Sequence, residues 1–320
     1  MKEKMKEGAA LLLFCVLLPY VIATFTGNIK LEDTQLEQSE LVIVCQSENG
    51  TEKIPLNTFL TGALAASITQ TAEQETLKAQ AVILRTNIYE AYMRRTDKSK
   101  REVDGKILGQ ESLSVWQMRS LWGEAFAENY DKFKSAVEDT EQMIITYEGI
   151  PIKDPFFYVS TGKTREGSET FGSGEDYPYL KSVECRQDMM CPDYCVTYTY
   201  PVRLFDEKMA QFFQDEKFYG ENNPADRIKF TKDQAEYIRT VQNCNNGKKL
   251  SGEAFRDFLK LPSSAFVLVK KDNTIEITVK GQGHGVGMSQ YGANELVKQG
   301  KDYQEIINTF FQNVTIQKYE

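Results

Sequence analysis

The chain has a single histidine, His284, among its 320 residues. That scarcity excludes His-rich metal sites and makes any Ser-His-Asp triad depend on one residue. Basic residues are also short: 38 Lys and Arg against 46 Asp and Glu leave a formal net charge of −8. This balance argues against a phosphate-backbone binder, and nucleic acid is not expected as a partner. No repeat array, long low-complexity tract or G-x-G-x-x-G run occurs, so a dinucleotide site has little support. The six cysteines include no C-x2-C pair. No acidic residue stands between Glu52 and Glu73.

An apolar run, Ala9 to Phe25, follows Lys2, Lys4 and Lys6. At 17 residues it sits at the lower limit for a spanning helix, and no small-x-small cleavage site follows. The lysines place its N-terminal side in the cytoplasm and the rest of the chain outside. The expectation is a single-pass signal anchor in the cell membrane with an extracytoplasmic C-terminal domain. A cleaved signal peptide is the alternative. Residues 26–40, polar and acidic, suit a tether.

Beyond the tether, Leu41 to Cys45 reads as a strand and Asn49-Gly50 as a hairpin turn. Leu56, Leu60, Leu64 and Ile68 give one helical face. Thr71-x-x-Gln74 resembles a capping box opening a second helix. Leu77, Ala81, Leu84 and Ile88 form that helix's buried stripe, and Ala79, Val82 and Ile83 suggest burial on a second side. The charged stretch Arg94 to Lys106 reads as a solvated loop, and Met143 to Ile152 as a hairpin turning at Glu148-Gly149. The fold class expected is α+β: helices packed on mostly antiparallel strands around an open cleft, with the anchor in front. The organisation is 1–25 stub and anchor, 26–40 tether, and 41–320 one extracytoplasmic domain with 202–247 as an inserted lobe.

Cys185, Cys191 and Cys195 cluster, with Cys45 and Cys244 elsewhere outside the apolar run. In a translocated domain a disulfide within the cluster is the first expectation. A closed zinc site on the three thiolates is the competitor, weakened by x5 and x3 spacings. No other cofactor is expected.

Three segments carry a family resemblance. Ile54 to Asn87 ends in E-T-L-K-A-Q-A-V-I-L-R-T; Tyr158 to Glu166 reads YVSTGKTRE, with Tyr179-Leu180 downstream; Ser251 to Phe266 (SGEAFRDFLKLPSSAF) leads into Gly281 to Ala293, GQGHGVGMSQYGA. Together they resemble the stage II sporulation protein D (SpoIID/LytB) family. The resemblance implies peptidoglycan chemistry in spore engulfment: lytic transglycosylases that cut glycan strands already denuded of stem peptides by a partner amidase. Such cleavage needs a carboxyl group that protonates the glycosidic oxygen and then accepts the C6 hydroxyl proton as the 1,6-anhydro ring closes.

The family's glutamate opens a Glu-Met-Pro corner ten residues before the Leu of L-K-A-Q. Here that position is Ser67, followed by Ile68 and Thr69. A serine hydroxyl is far too weak an acid for the step, so no intact catalytic residue is expected. Glu73 and Glu75 are the candidate substitutes, with a helix-dipole role as the alternative. Substrate-binding candidates are Arg85, Ser160, Thr161, Thr164, His284, Ser289 and Gln290, each of which can also be read as ordinary surface or structural polarity. Gln282 replaces the family's aromatic residue before Gly-His-Gly, removing a sugar-stacking surface there. The partners implied are glycan strands, the membrane through the N-terminal helix, and the amidase. A catalytically disabled module that binds denuded glycan or scaffolds the amidase is the alternative to an enzyme.

Overall fold

The computed structural model describes residues 41–319 apart from 48–49, 97, 154, 172–176 and 220–222. The apolar run and the tether therefore lie outside the described residues. Among the described residues no helix is long and apolar enough to cross a membrane.

The strands β1 (Val42–Ser47) and β2 (Gly50–Pro55) form the expected antiparallel hairpin, whose turn lies largely outside the described residues. Helix α1 (Leu56–Ser67) follows Pro55, and α2 (Gln74–Met93) follows a short corner. The capping box does not form. Glu73 is the N-cap without a side-chain bond, and Thr71 instead pairs with the Thr69 hydroxyl at 2.9 Å. The Glu73 N–H is taken by Asn294 Oδ1 at 3.0 Å, from a residue 221 positions away.

The charged stretch also differs from expectation. It contains β3 (Glu102–Asp104), which lies parallel to β1 and buries Val103 completely. One buried valine repays the strand, while its charged neighbours stay outside. After α3 (Val115–Trp122) and α4 (Phe126–Asp139) comes the hairpin β4 (Met143–Tyr147) and β5 (Ile150–Pro151). Glu148 and Gly149 both take positive φ, 51° and 80°, as a tight hairpin turn requires.

The remaining strands are β6 (Phe156–Phe157), β7 (Cys195–Pro201), β8 (Ile228–Lys232), β9 (Ile238–Asn243), β10 (Lys249–Ser251), β11 (Phe266–Lys271), β12 (Thr274–Lys280), β13 (Met288–Ser289) and β14 (Thr315–Lys318). Helices α5 (Val202–Phe213), α6 (Gly252–Leu259), α7 (Gln290–Lys298) and α8 (Tyr303–Phe310) are interleaved with them. The strands make small sheets, antiparallel except for β1 with β3 and β6 with β13. The architecture is mixed α+β, as the sequence suggests.

Three large apolar cores and a small cluster of Ala235, Tyr237 and Ala265 account for the packing of the described residues. Leu77, Ala81, Leu84 and Ile88 face a core shared with α1, α4 and β1, while Ala79, Val82 and Ile83 face a second core with β4, α7 and α8. The two-sided burial read from the sequence is what the helix does. The third core joins Phe205, Met209 and Phe213 of α5 to Phe255, Phe266, Ile275 and Val279. Segment 202–247 thus shares its interior with residues 255–279 and does not close a core by itself.

Arg85 lies in the interior of this arrangement, fully buried. Its Nη1 donates to the Thr140 carbonyl at 2.7 Å, which also accepts from Met143 N–H, and its Nη2 to the Val137 carbonyl at 2.9 Å, both at the end of α4. A cation there also suits the negative end of that helix. Burial lowers the guanidinium pKa from 12.5 to about 10, which leaves it charged. Arg85→Ala should cost about 3 kcal/mol of stability by urea unfolding, because the Val137 carbonyl loses its guanidinium donor and a cavity opens. Arg85→Lys should recover only part of it, since one ammonium cannot serve both carbonyls as the fork does.

Candidate functional site

The three motif segments meet beside Ser67. Ser67 ends α1, with its hydroxyl 3.3 Å from the Leu64 carbonyl. Gln290, the first residue of α7, donates Nε2 to the Ser67 carbonyl at 2.8 Å and to Gln80 Oε1 at 3.2 Å. One side-chain amide thus ties the corner, the L-K-A-Q helix and the G-M-S-Q segment together. An open cleft of about 250 Å³ adjoins this junction. It is lined by Ile68, Thr69, Thr71 and Glu73 from the corner and by Tyr158, Gln290, Tyr291, Asn294 and Lys298.

Asp188 binds the second motif to the third. It is fully buried, and its Oδ2 accepts from the Ser160 N–H at 2.7 Å and the Ser289 hydroxyl at 2.8 Å. Its Oδ1 has no hydrogen-bond partner and faces Gly292, 3.0 Å from where a Cβ would stand. Burial raises the carboxyl's pKa, and the Ser160 and Ser289 bonds oppose the rise. Ser289 also accepts from Gly292 N–H, 3.1 Å away, so the same hydroxyl caps α7. Nothing in the local sequence marked Asp188, which sits between Cys185 and Cys191; only the fold brings it to the two serines.

The remaining candidates are placed as follows. Gln290 lines the cleft and Ser289 lies behind it, fully buried. Ser160 and Thr164 are buried, accepting from the N–H groups of Gly162 (3.1 Å) and Val183 (2.8 Å). The Thr161 hydroxyl donates to the Ala235 carbonyl at 2.9 Å. Arg85 is internal, as described. Glu75 is engaged structurally: its carboxylate accepts from Tyr303 N–H at 2.9 Å, at the start of α8, and pairs with Lys78 at 2.9 Å. Glu73 is exposed and is the carboxylate among the described lining residues. Tyr158 and Tyr291 supply aromatic rings that the sequence reading sought at position 282. Gln282 instead bonds by its backbone to Val159.

His284 is held by its turn. Nδ1 accepts from Val286 N–H at 3.1 Å, and the ring lies against that of Phe157, 5.8 Å between centroids. The ring is therefore neutral, with its proton on Nε2. Gly285 and Gly287 take positive φ here, and a Cβ on either would run into the Tyr237 ring or the Pro155 carbonyl. The five cysteines among the described residues are unpaired, so the disulfide expected within 185–195 is not formed. Cys185 and Cys191 are buried while Cys195 is exposed. Among the described residues no cluster of His, Cys, Asp or Glu could hold a metal ion, so the zinc reading has no ligand set there.

Burial lowers the His284 pKa below 6.5, ahead of an opposing contribution from Glu253. The unfolded chain then takes up a proton first as pH falls. His284's contribution is full above about pH 6.5 and is lost below it, toward the folded-state pKa. Urea unfolding should show lower stability at pH 5.5 than at pH 7.5 from this group. His284→Asn, whose side-chain oxygen can still accept from Val286, should flatten that slope.

The comparisons with known proteins agree with this geometry. The SpoIID family, described as stage II sporulation protein, matches residues 46–147. Stage II sporulation protein D of Bacillus amyloliquefaciens is 35% identical over 273 residues, covering 84% of this chain and 76% of that protein. Its counterpart in Bacillus subtilis (strain 168) is 32% identical over 268 residues, covering 83% and 75%. An amidase enhancer of Bacillus subtilis (strain 168) is 42% identical over 57 residues, 18% of this chain and 8% of that protein. With two such relatives aligned along most of its length, the chain belongs to the stage II sporulation protein D family.

Proposed function

We propose that this chain is a wall-directed sporulation protein, membrane-anchored and extracytoplasmic, that binds denuded glycan strands in the cleft beside Ser67 without cleaving them. The observation that carries the reading is the junction itself. Gln290, Gln80 and the Ser67 carbonyl hold the cleft's corner in place, while the side chain at its tip is a hydroxyl. The cleft has amide groups and two tyrosine rings, which suit sugar hydroxyls and ring faces. It has no acid at position 67. The partial likeness to an amidase enhancer supports an amidase as the partner acting on the same strands.

Position 67 has the electrostatics of an acid's site. It ends α1, where the negative end of a helix disfavours a carboxylate and so favours the protonated form. Ser67→Glu should therefore convert the chain, from residue 26 onward, from a binder into a cutter. Incubated with denuded strands, the wild-type chain should bind and yield no 1,6-anhydro ends. Ser67→Glu should yield them at least about 100-fold above wild type, the usual contribution of a general acid. A second reading rests on Glu73, which lines the same cleft. If wild type releases 1,6-anhydro ends and Glu73→Gln abolishes them, the displaced carboxylate is the acid and the binding-only reading fails.

A further inference from the structure

Arg165 lies outside the cleft, against the glycine turn that leads to Gln290. It is buried, with 3% of its surface exposed. Its Nε donates to Asp233 Oδ2 at 2.6 Å, and Nη1 donates to Glu253 Oε1 and to the His284 carbonyl, both at 3.0 Å. Its guanidinium lies over the Tyr237 ring, 4.8 Å from the centroid, and its backbone N–H donates to the Gly285 carbonyl at 2.7 Å. Asp233 is itself fixed by the N–H groups of Ala235 and Tyr237, each at 3.0 Å. Glu253 also accepts from Ser264 and Arg256, at 2.7 and 3.2 Å.

These partners come from two directions. Asp233 and Tyr237 lie between β8 and β9, and Glu253 in the first turn of α6. His284 and Gly285 belong to the glycine turn that leads through Val286 and Met288 to Ser289 and Gln290. A side chain that holds both ends fixes the turn's path, and with it the register at which Gln290 reaches Ser67. We propose that Arg165 is a positioning residue: it fastens the glycine turn to the 228–264 segment and thereby sets Gln290 at the cleft. Its effect on glycan affinity rests on the glycan-binding reading above; its effect on the turn does not.

The single histidine makes the turn directly observable, because every imidazole signal in this protein comes from His284. The test is Arg165→Lys, which keeps a cation for Asp233 but cannot also reach Glu253 and the His284 carbonyl. In wild type, nitrogen-15 NMR should show an Nε2–H tautomer titrating below 6.5, and the Val286 amide should exchange slowly. In Arg165→Lys the tautomers should mix, the titration should move up toward 6.5, and Val286 exchange should accelerate at least about 10-fold. The affinity for denuded strands should fall about 10-fold with it.

A purely structural role would lower the melting temperature while leaving the His284 tautomer, the Val286 rate and the glycan affinity of the folded protein at wild-type values, and that result overturns the proposal. Should Arg165→Lys not fold, Arg165→Met combined with Asp233→Asn removes both buried charges together and is read in the same way. If wild type binds no glycan, the glycan-binding reading fails, and the tautomer and exchange measurements still decide the role of Arg165.

Discussion

Helix α2 is 20 residues long and buried along two faces, so it can only exist sandwiched between two apolar cores. That requirement draws α1, α4 and β1 to one side and β4, α7 and α8 to the other. It also puts polar groups of the same helix, Gln80 and Arg85, where water cannot serve them. Each finds protein partners for part of its side chain, leaving Gln80 Nε2 and Arg85 Nε unpaired among the described residues. Arg85 finds the frayed end of α4. Gln80 finds Gln290, and through it the end of α1. The cleft's corner is thus a by-product of how a doubly buried helix satisfies its hydrogen bonds.

The same logic separates the corner's packing from the side chain that stands at position 67. The tie across the corner uses the backbone of position 67, whose hydroxyl reaches only Leu64 of its own helix, at 3.3 Å. Gln290 grips the Ser67 carbonyl, which any residue would offer. Asp188 grips Ser160 and Ser289 from behind, and the latter caps α7. Exchange of a carboxylate for a hydroxyl at the tip leaves these contacts intact. The backbone and the side chain of this one residue face different demands, and only the backbone is tied to Gln290.

Much of this was legible in the residues. The two stripes of α2 differ by their spacing alone, and the glycine spacing in 281–287 announced a turn that only positive φ allows. What was not legible depends on distant partners. A single buried valine makes β3 inside a run of charges, and periodicity has nothing to count in three residues. Asn294 replaces the capping box by reaching across from α7. Arg85 and Glu75 look like surface or cleft charges until the neighbouring helix ends are in place. Asp188 is marked by no motif, since its role is defined by two serines, 28 and 101 positions away.

The central claim is that the cleft between the Ile68–Glu73 corner and the start of α7 is where glycan strands sit. Hydrogen exchange followed by mass spectrometry, with and without denuded strands, tests it most directly. The account predicts slowed exchange confined to about residues 68–73 and 289–294, with the 228–264 segment unchanged. Protection that appears elsewhere and spares those two segments would contradict it.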